Sequence, residues 1–183
     1  LKNSEIYGCK RVVTSQFTPT PVSNHVYDPS PAEPAPQDDF ALVQLSRPVA
    51  YHEPVKVSGT DPYRTETPLV AIGHPHGLPL KITDEGYIAS SRSDDVFFKT
   101  DLDLFSGNSG SPIFNANTGE VIGLVSRGAY DMAIDPSGKC EINRRIPSRH
   151  EWNSKNGFTG EQVSKTSAFY STFIKWAVFA QPW

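Results

Sequence analysis

Cysteine is almost absent: Cys9 and Cys140 are the only two among 183 residues. A dense disulfide framework is therefore excluded, and neither residue has the spacing of a structural metal site. The pair could bridge, which an exported location would favour, or stay as free thiols, or Cys9 could bridge to an upstream segment. Long hydrophobic runs are missing as well. No apolar stretch approaches the roughly 20 residues that cross a bilayer as a helix, so no membrane span is expected. The opening Leu1-Lys2-Asn3-Ser4-Glu5 lacks the apolar core of a signal peptide. A mature exported protein, or a chain whose beginning was removed, would start in this way. Basic blocks are absent too: 17 Lys and Arg are interspersed with 20 Asp and Glu, for a formal net charge of −3. That weighs against nucleic acid or an anionic membrane as partner. The remaining composition, 37% hydrophobic and 20% charged, is that of a globular protein with one large or two small domains.

Short β-branched and apolar runs dominate the chain. Lys10–Phe17 reads as a strand, and Phe40–Leu45 as a buried strand ended by Pro48. Between them, residues 18–37 hold six prolines and little apolar content, the composition of a long surface loop with polyproline character. Residues 51–66 are polar and read as a crossing segment between two halves. Short strands then follow at close intervals: Leu69–Gly73, Ile82–Ser90, Val96–Thr100, Ser111–Asn115 and Glu120–Ser126. Asn115-Ala116-Asn117-Thr118-Gly119 predicts a hairpin turn between the last two. Residues 131–164 give no confident element and read as long loops. In the tail, Phe169, Phe173, Trp176, Ala177 and Ala180 fall on one face of a helix, which Thr166 or Ser167 can cap and Pro182 stops. The fold class is therefore all-β, a barrel or sandwich closed by a C-terminal α-helix.

One run carries chemistry. Asp101-Leu102-Asp103-Leu104-Phe105-Ser106-Gly107-Asn108-Ser109-Gly110-Ser111-Pro112 places a serine between glycines, just ahead of a strand. A serine hydroxyl is a weak nucleophile until a base takes its proton, and the loop around it must offer N–H groups to the oxyanion that forms. Gly107 allows the tight turn that sets its amide beside that of Ser109. Gly110 and the small Ser111 keep bulk away from an approaching carbonyl. The loop is thus read as a nucleophile at Ser109 with an oxyanion hole at Gly107 and Ser109.

Segment 100–128 resembles the trypsin-like (chymotrypsin-fold) serine peptidases, most of all the bacterial branch that contains the glutamyl endopeptidases. Asp39-Phe40-Ala41-Leu42-Val43-Gln44-Leu45 resembles the family's Asp-Ile-Ala-Leu-type strand. Ala71-Ile72-Gly73-His74-Pro75-His76-Gly77-Leu78 resembles the Gly-x-Pro-x-Gly turn that opens the second barrel, and Gly123-Leu124-Val125-Ser126-Arg127-Gly128 the strand lining the substrate cleft. The resemblance covers about residues 38–180 and implies two six-stranded antiparallel β-barrels with a C-terminal helix. Residues 1–50 would then be the remainder of an N-terminal barrel, 67–164 the C-terminal barrel and 165–181 the helix.

What the resemblance implies for the site follows by position. Asp39 would orient the catalytic histidine, and Ser126, Arg127 and Gly128 would pair with the substrate backbone as an added strand. Asp103, six residues before Ser109, would form the floor of the specificity pocket, where a carboxylate selects Arg or Lys. Asp101 and Asp103 read equally well as loop-capping groups. Asn108 replaces the aspartate that pairs with a new N-terminus in animal trypsins, so activation by that ion pair is excluded. The implied activity is a serine endopeptidase, a secreted or periplasmic bacterial hydrolase acting on polypeptides, without a cofactor or metal. A catalytically incomplete binding domain and an esterase using the same serine are the alternatives.

The base is the missing part. The family order is His, Asp, Ser, with histidine tens of residues before aspartate. Only His25 precedes Asp39, by 14 positions, and it lies inside the Pro-rich loop. His74 and His76 flank Pro75 in a turn and do not by themselves make a metal site. His52 and His150 lie in polar stretches. The expectation is that the first barrel is incomplete in this chain and that an upstream segment, either absent here or cleaved and retained as a second N-terminal chain, supplies the histidine.

Overall fold

The structure is a computed structural model in which residues 2–17, 39–60, 63–93, 95–128, 131–145 and 160–179 are described. The sequence readings for loop 18–37, His25, His150, Ala180 and Pro182 lie outside those residues.

Strands β1 (Cys9–Phe17) and β2 (Asp39–Leu45) form a two-stranded antiparallel sheet in which Phe17 faces Asp39. None of its residues is fully buried, and Val12, Phe17 and Val43 are exposed. The second half is different. Strands β3 (Pro68–Gly73), β4 (Lys81–Ser91), β5 (Phe97–Thr100), β6 (Pro112–Asn115), β7 (Val121–Arg127) and β10 (Glu161–Lys165) close into a barrel in the order β10-β5-β4-β3-β6-β7, every neighbouring pair antiparallel. Helix α1 (Thr166–Phe179) follows directly, so the fold is all-β with one C-terminal helix.

The barrel closes because its strands alternate. In β3, Leu69, Ala71 and Gly73 point inward; in β5 and β6, Phe98 and Ile113 do the same. With Ile88, Ile122, Val125 and Val163 they form one buried core, each large side chain contributing about 1.5–3 kcal/mol. Leu102 and Leu104 extend this core into the loop after β5 and anchor its first half. The predicted β6–β7 hairpin is present, with Gly119 at φ +69° and its amide bonded to the Asn115 carbonyl at 2.8 Å.

Residues 131–164 are not all loop. Strands β8 (Met132–Ile134) and β9 (Glu141–Asn143) pair outside the barrel, and β10 is the staple that closes it between β5 and β7. Apolar periodicity could not reveal β10. Of its five residues only Val163 is apolar, yet Glu161, Ser164 and Lys165 are buried with it. Lys165 reaches out of the core to the Arg92 carbonyl at 2.6 Å, its Nζ 4.8 Å from the centre of the Tyr63 ring.

The crossing segment is also more than a linker. Ser58 donates its amide to Val121 at 2.9 Å, and Val121 donates to Lys56 at 2.9 Å, so the segment lies along β7. Tyr63 enters the core, and its hydroxyl lies 3.1 Å from that of Thr166 while accepting the Ser167 amide at 3.0 Å. Thr166 is not a free cap: its hydroxyl donates to the Ser58 carbonyl at 2.7 Å and locks the helix start to the crossing segment. The predicted helix face holds for Phe169, Phe173 and Trp176, which are half-buried, while Ser171, Thr172 and Lys175 are exposed. Phe169 meets Phe40 of β2 with ring centroids 5.0 Å apart, so the helix ties the N-terminal sheet to the barrel.

Candidate active site

The loop between β5 and β6 is held at every turn. The Asp101 carboxylate accepts the Tyr87 amide at 2.6 Å, which makes Asp101 a loop-capping group. Leu102 and Leu104 then alternate into the core. Two successive turns follow, with Asn108 donating to Phe105 at 3.0 Å and Ser111 donating to Asn108 at 2.8 Å. The loop is stitched to β7 by Gly110 donating to Val125 at 2.7 Å and Val125 donating to Ser111 at 3.0 Å. Its outer side is held by the carboxylate of Asp131, which accepts the Ser106 amide at 2.6 Å.

Gly107 has φ +95°, a conformation that any side chain would strain. Space is short as well: a Cβ there would lie 2.9 Å from the His76 amide and 3.0 Å from the His74 carbonyl. The amides of Gly107 and Ser109 donate to no acceptor among the described residues. Two orphan donors on an exposed, tied-down loop are what an oxyanion hole requires. Asn108 is buried and turns inward toward Gly73, the last residue of β3, where a Cβ would collide with its side-chain oxygen. Ser109 is left exposed at the loop's outer turn.

Ser109 stands at the rim of a cleft of about 430 Å³. Its walls are Leu104, Phe105 and Ser106 from the loop, Val125 to Gly128 along and just after β7, and Asp131 and Glu161. Ser126, Arg127 and Gly128 therefore gather beside the serine. Ser126 is the unpaired residue of a bulge between β7 and β10, and its hydroxyl donates to the Gln162 carbonyl at 3.2 Å.

Asp103 is half-buried but does not line the cleft. The strand alternation that sends Leu102 and Leu104 into the core leaves Asp103 on the other side of the chain. The buried carboxylate on the cleft wall is Glu161, 2% exposed and delivered by β10. Gly128 makes room for it, since a Cβ at 128 would run into the Glu161 carboxylate. Sequence reasoning missed Glu161 because the strand carrying it was hidden, and Asp131 because it belongs to no motif in a stretch read as loop.

Asp39, the first residue of β2, is half-buried at the end of the N-terminal sheet. Among the described residues no imidazole reaches the Ser109 hydroxyl, which has no hydrogen-bond partner. His74 uses its Nδ1 on the Leu78 carbonyl at 3.1 Å. His76 stacks 5.8 Å from the Phe105 ring centroid and turns its Nε2 toward Asp131 at 4.0 Å, while its amide donates to Ser106 at 2.7 Å. The His74–His76 turn thus packs against the serine loop at Ser106 and Gly107. Cys9 and Cys140 are free and exposed, and no group of three or more His, Cys, Asp and Glu converges among the described residues.

The chain is 35% identical over 125 residues to a probable periplasmic serine protease do/HhoA-like of Haemophilus influenzae, covering 64% of this chain and 25% of that protein. It is 33% identical over 119 residues to the periplasmic serine endoprotease DegP of Escherichia coli K12, covering 62% and 24%. The chain thus spans about a quarter of the length of the curated relatives it matches. The active form of the Rv3671c protease from M. tuberculosis shares the fold, with a TM-score of 0.51 at 17% identity over 75% of this chain and 53% of that one. Residues 5–124 match the family model described as the trypsin-like peptidase domain, and the chain belongs to that family.

Proposed function

We propose that this chain carries the nucleophile of a serine endopeptidase that cleaves peptide bonds through an acyl-enzyme at Ser109. The observation that supports it most is the pair of uncommitted amides, Gly107 and Ser109, on a fixed loop beside a walled cleft. A histidine supplied by a segment upstream of Leu1 takes the Ser109 proton as the hydroxyl oxygen bonds to the substrate carbonyl carbon. Asp39 holds that imidazole in the required tautomer. The tetrahedral oxyanion sits on the two amides. The carbon–nitrogen bond then breaks, the imidazolium gives its proton to the leaving amine, and water repeats the sequence to free the acid. Backbone groups of Ser126, Arg127 and Gly128 align the substrate as an added antiparallel strand.

The exposed apolar side chains of β1 and β2 support a covering segment on the N-terminal sheet. The named location of the relatives, and a chain in which no described helix is long and apolar enough to cross a membrane, fit a periplasmic or secreted site of action.

A second reading rests on the isolated Ser109 hydroxyl: on its own, this chain is a protease-like domain that binds polypeptide without cleaving it. Fluorophosphonate labelling decides. The protein expressed from its full reading frame should label at Ser109, and Ser109→Ala should lose the label together with on the order of 10⁵–10⁶-fold in cleavage rate. Failure of the full-length protein to label would sink the endopeptidase. Hydrolysis of esters with peptides left intact would assign an esterase instead.

A further inference from the structure

We propose that His76 and Asp131 are positioning residues: between them they hold two consecutive peptide units of the serine loop and so aim the Gly107 amide at the oxyanion. This rests on the endopeptidase reading and deepens it by naming what sets the donor at 107.

The backbone accounting of the loop carries the proposal. A peptide unit offers one carbonyl and one N–H, and the planar trans bond points them in opposite directions. In the unit joining Phe105 to Ser106 both are taken. The Phe105 carbonyl accepts the Asn108 amide at 3.0 Å, and the Ser106 amide donates to the Asp131 carboxylate at 2.6 Å. In the next unit the Ser106 carbonyl accepts the His76 amide at 2.7 Å. The Gly107 amide shares that plane, so it is turned away from the His76 amide. Rotating this unit would swing the Gly107 amide off its aim and break the His76 bond in the same motion.

Both holding groups come from outside the loop. His76 lies in the turn between β3 and β4 at φ +53°, the left-handed region that few non-glycine residues adopt. The turn keeps it there through bonds of its own, Gly77 donating to the His74 carbonyl at 3.3 Å and Leu78 to that of Pro75 at 2.9 Å. Asp131 follows β7. Its carbonyl accepts the Arg144 amide at 2.7 Å, which fixes it at the open end of the β8–β9 hairpin. The Asp131 side chain is only 14% exposed, so water competes little for its oxygens. The two groups also meet each other. The His76 ring lies 5.8 Å from that of Phe105, and its Nε2 is 4.0 Å from the same Asp131 oxygen that accepts Ser106.

Two readouts on the full-length protein test this. Amide hydrogen exchange follows the hold on the loop without turnover. The Ser106 amide should exchange slowly. Asp131→Ala should speed it by about tenfold or more, whereas Asp131→Asn, whose side-chain oxygen still accepts, should keep most of the protection. Fluorophosphonate labelling of Ser109 and peptide turnover follow the oxyanion hole. Asp131→Ala should lower the labelling rate and kcat together by about tenfold to a hundredfold with KM within about twofold, and Asp131→Asn should restore most of that loss. His76→Val, a β-branched residue forced out of positive φ, should lose about a hundredfold, most of which His76→Asn should keep. Should His76→Val fail to fold by circular dichroism, the Asp131 pair carries the test. Equal losses in Asp131→Asn and Asp131→Ala, or labelling unmoved while Ser106 exchange quickens, overturn the proposal and leave the endopeptidase intact. Native protein that never labels removes the endopeptidase, and Ser106 exchange in the Asp131 variants still decides whether that carboxylate holds the loop.

Discussion

The barrel and the β1–β2 sheet are both antiparallel and have opposite fates. In the barrel, Phe98, Leu69, Ile88 and Ile113 are buried, and six strands leave no edge open. In the β1–β2 sheet, Val12 is 56% and Phe17 66% exposed, with one neighbour strand apiece. A two-stranded ribbon alone is marginal in water. What holds β2 in place is its contact with the helix, Phe40 against Phe169, rather than a core of its own. Ser109 and the free amides at 107 and 109 therefore sit on the half with a closed core, and Asp39 on the half that lacks its own. The proposed mechanism needs both, and only one is organised from within.

The contrast can be broken by removing side chains on each side. Phe98→Ala should destabilise the protein by about 3–5 kcal/mol, the cost of a large cavity in a close-packed core. Val12→Ala should stay within about 0.5 kcal/mol, because that side chain faces solvent. Denaturant midpoints at constant slope would show the difference. A cost of several kcal/mol at Val12 in the full-length protein would show that another segment covers the sheet there.

The next effect is on chemistry. Gly107→Ala forces a Cβ at φ +95° against the His74–His76 backbone and must shift the amide at 107. Loss of one oxyanion donor costs about 10²–10³-fold in rate. The Ser109 labelling rate should fall by that factor. Gly119→Ala also strains a positive φ, but in a hairpin with nothing near its Cβ, and should leave labelling close to native. Equal loss in both variants would mean that stability, not the oxyanion hole, controls the rate.

These variants also mark where the sequence could be read. The barrel strands announced themselves as short apolar runs between turns, as in Leu69-Val70-Ala71 and Val121-Ile122-Gly123, and the serine loop through glycines, of which Gly107 and Gly110 take positive φ. Strand β10 did not, because its buried Glu161, Ser164 and Lys165 look like surface residues until the barrel closes around them. Tyr63 and Thr166 read as linker and cap, yet each is bonded to a partner more than a hundred positions away. Contacts of that range leave no local periodicity. Asp103 drew attention by its distance from Ser109 along the chain, while the carboxylate that reaches the cleft comes from 52 positions after the serine (161 − 109).

The smallest effect concerns the β8–β9 hairpin, a second two-stranded sheet outside the barrel. Its turn is organised by one carboxylate. Asp135 accepts the Ser137 hydroxyl at 2.6 Å, the Lys139 amide at 2.9 Å and the Cys140 amide at 3.3 Å. The Ser137 hydroxyl bond above all, then the Lys139 amide, holds its pKa down to about 2 from an ordinary 3.8. A carboxyl depressed in the folded state stabilises the turn fully above its unfolded value and loses that contribution as pH falls through the folded one. The turn should therefore stay ordered at pH 5 and loosen between about pH 4 and pH 2. Amide chemical shifts of Lys139 and Cys140 followed by NMR should titrate in that window, and Asp135→Asn should flatten the titration. Amides of the barrel core, such as Val125, should not follow the same curve, since Ser111 and the β7 ladder hold them rather than a titrating group. A Val125 amide that titrates together with Lys139 would mean that the hairpin and the nucleophile loop unfold as one unit. Independent curves would place the hairpin with the β1–β2 sheet, as structure attached to the barrel rather than part of it.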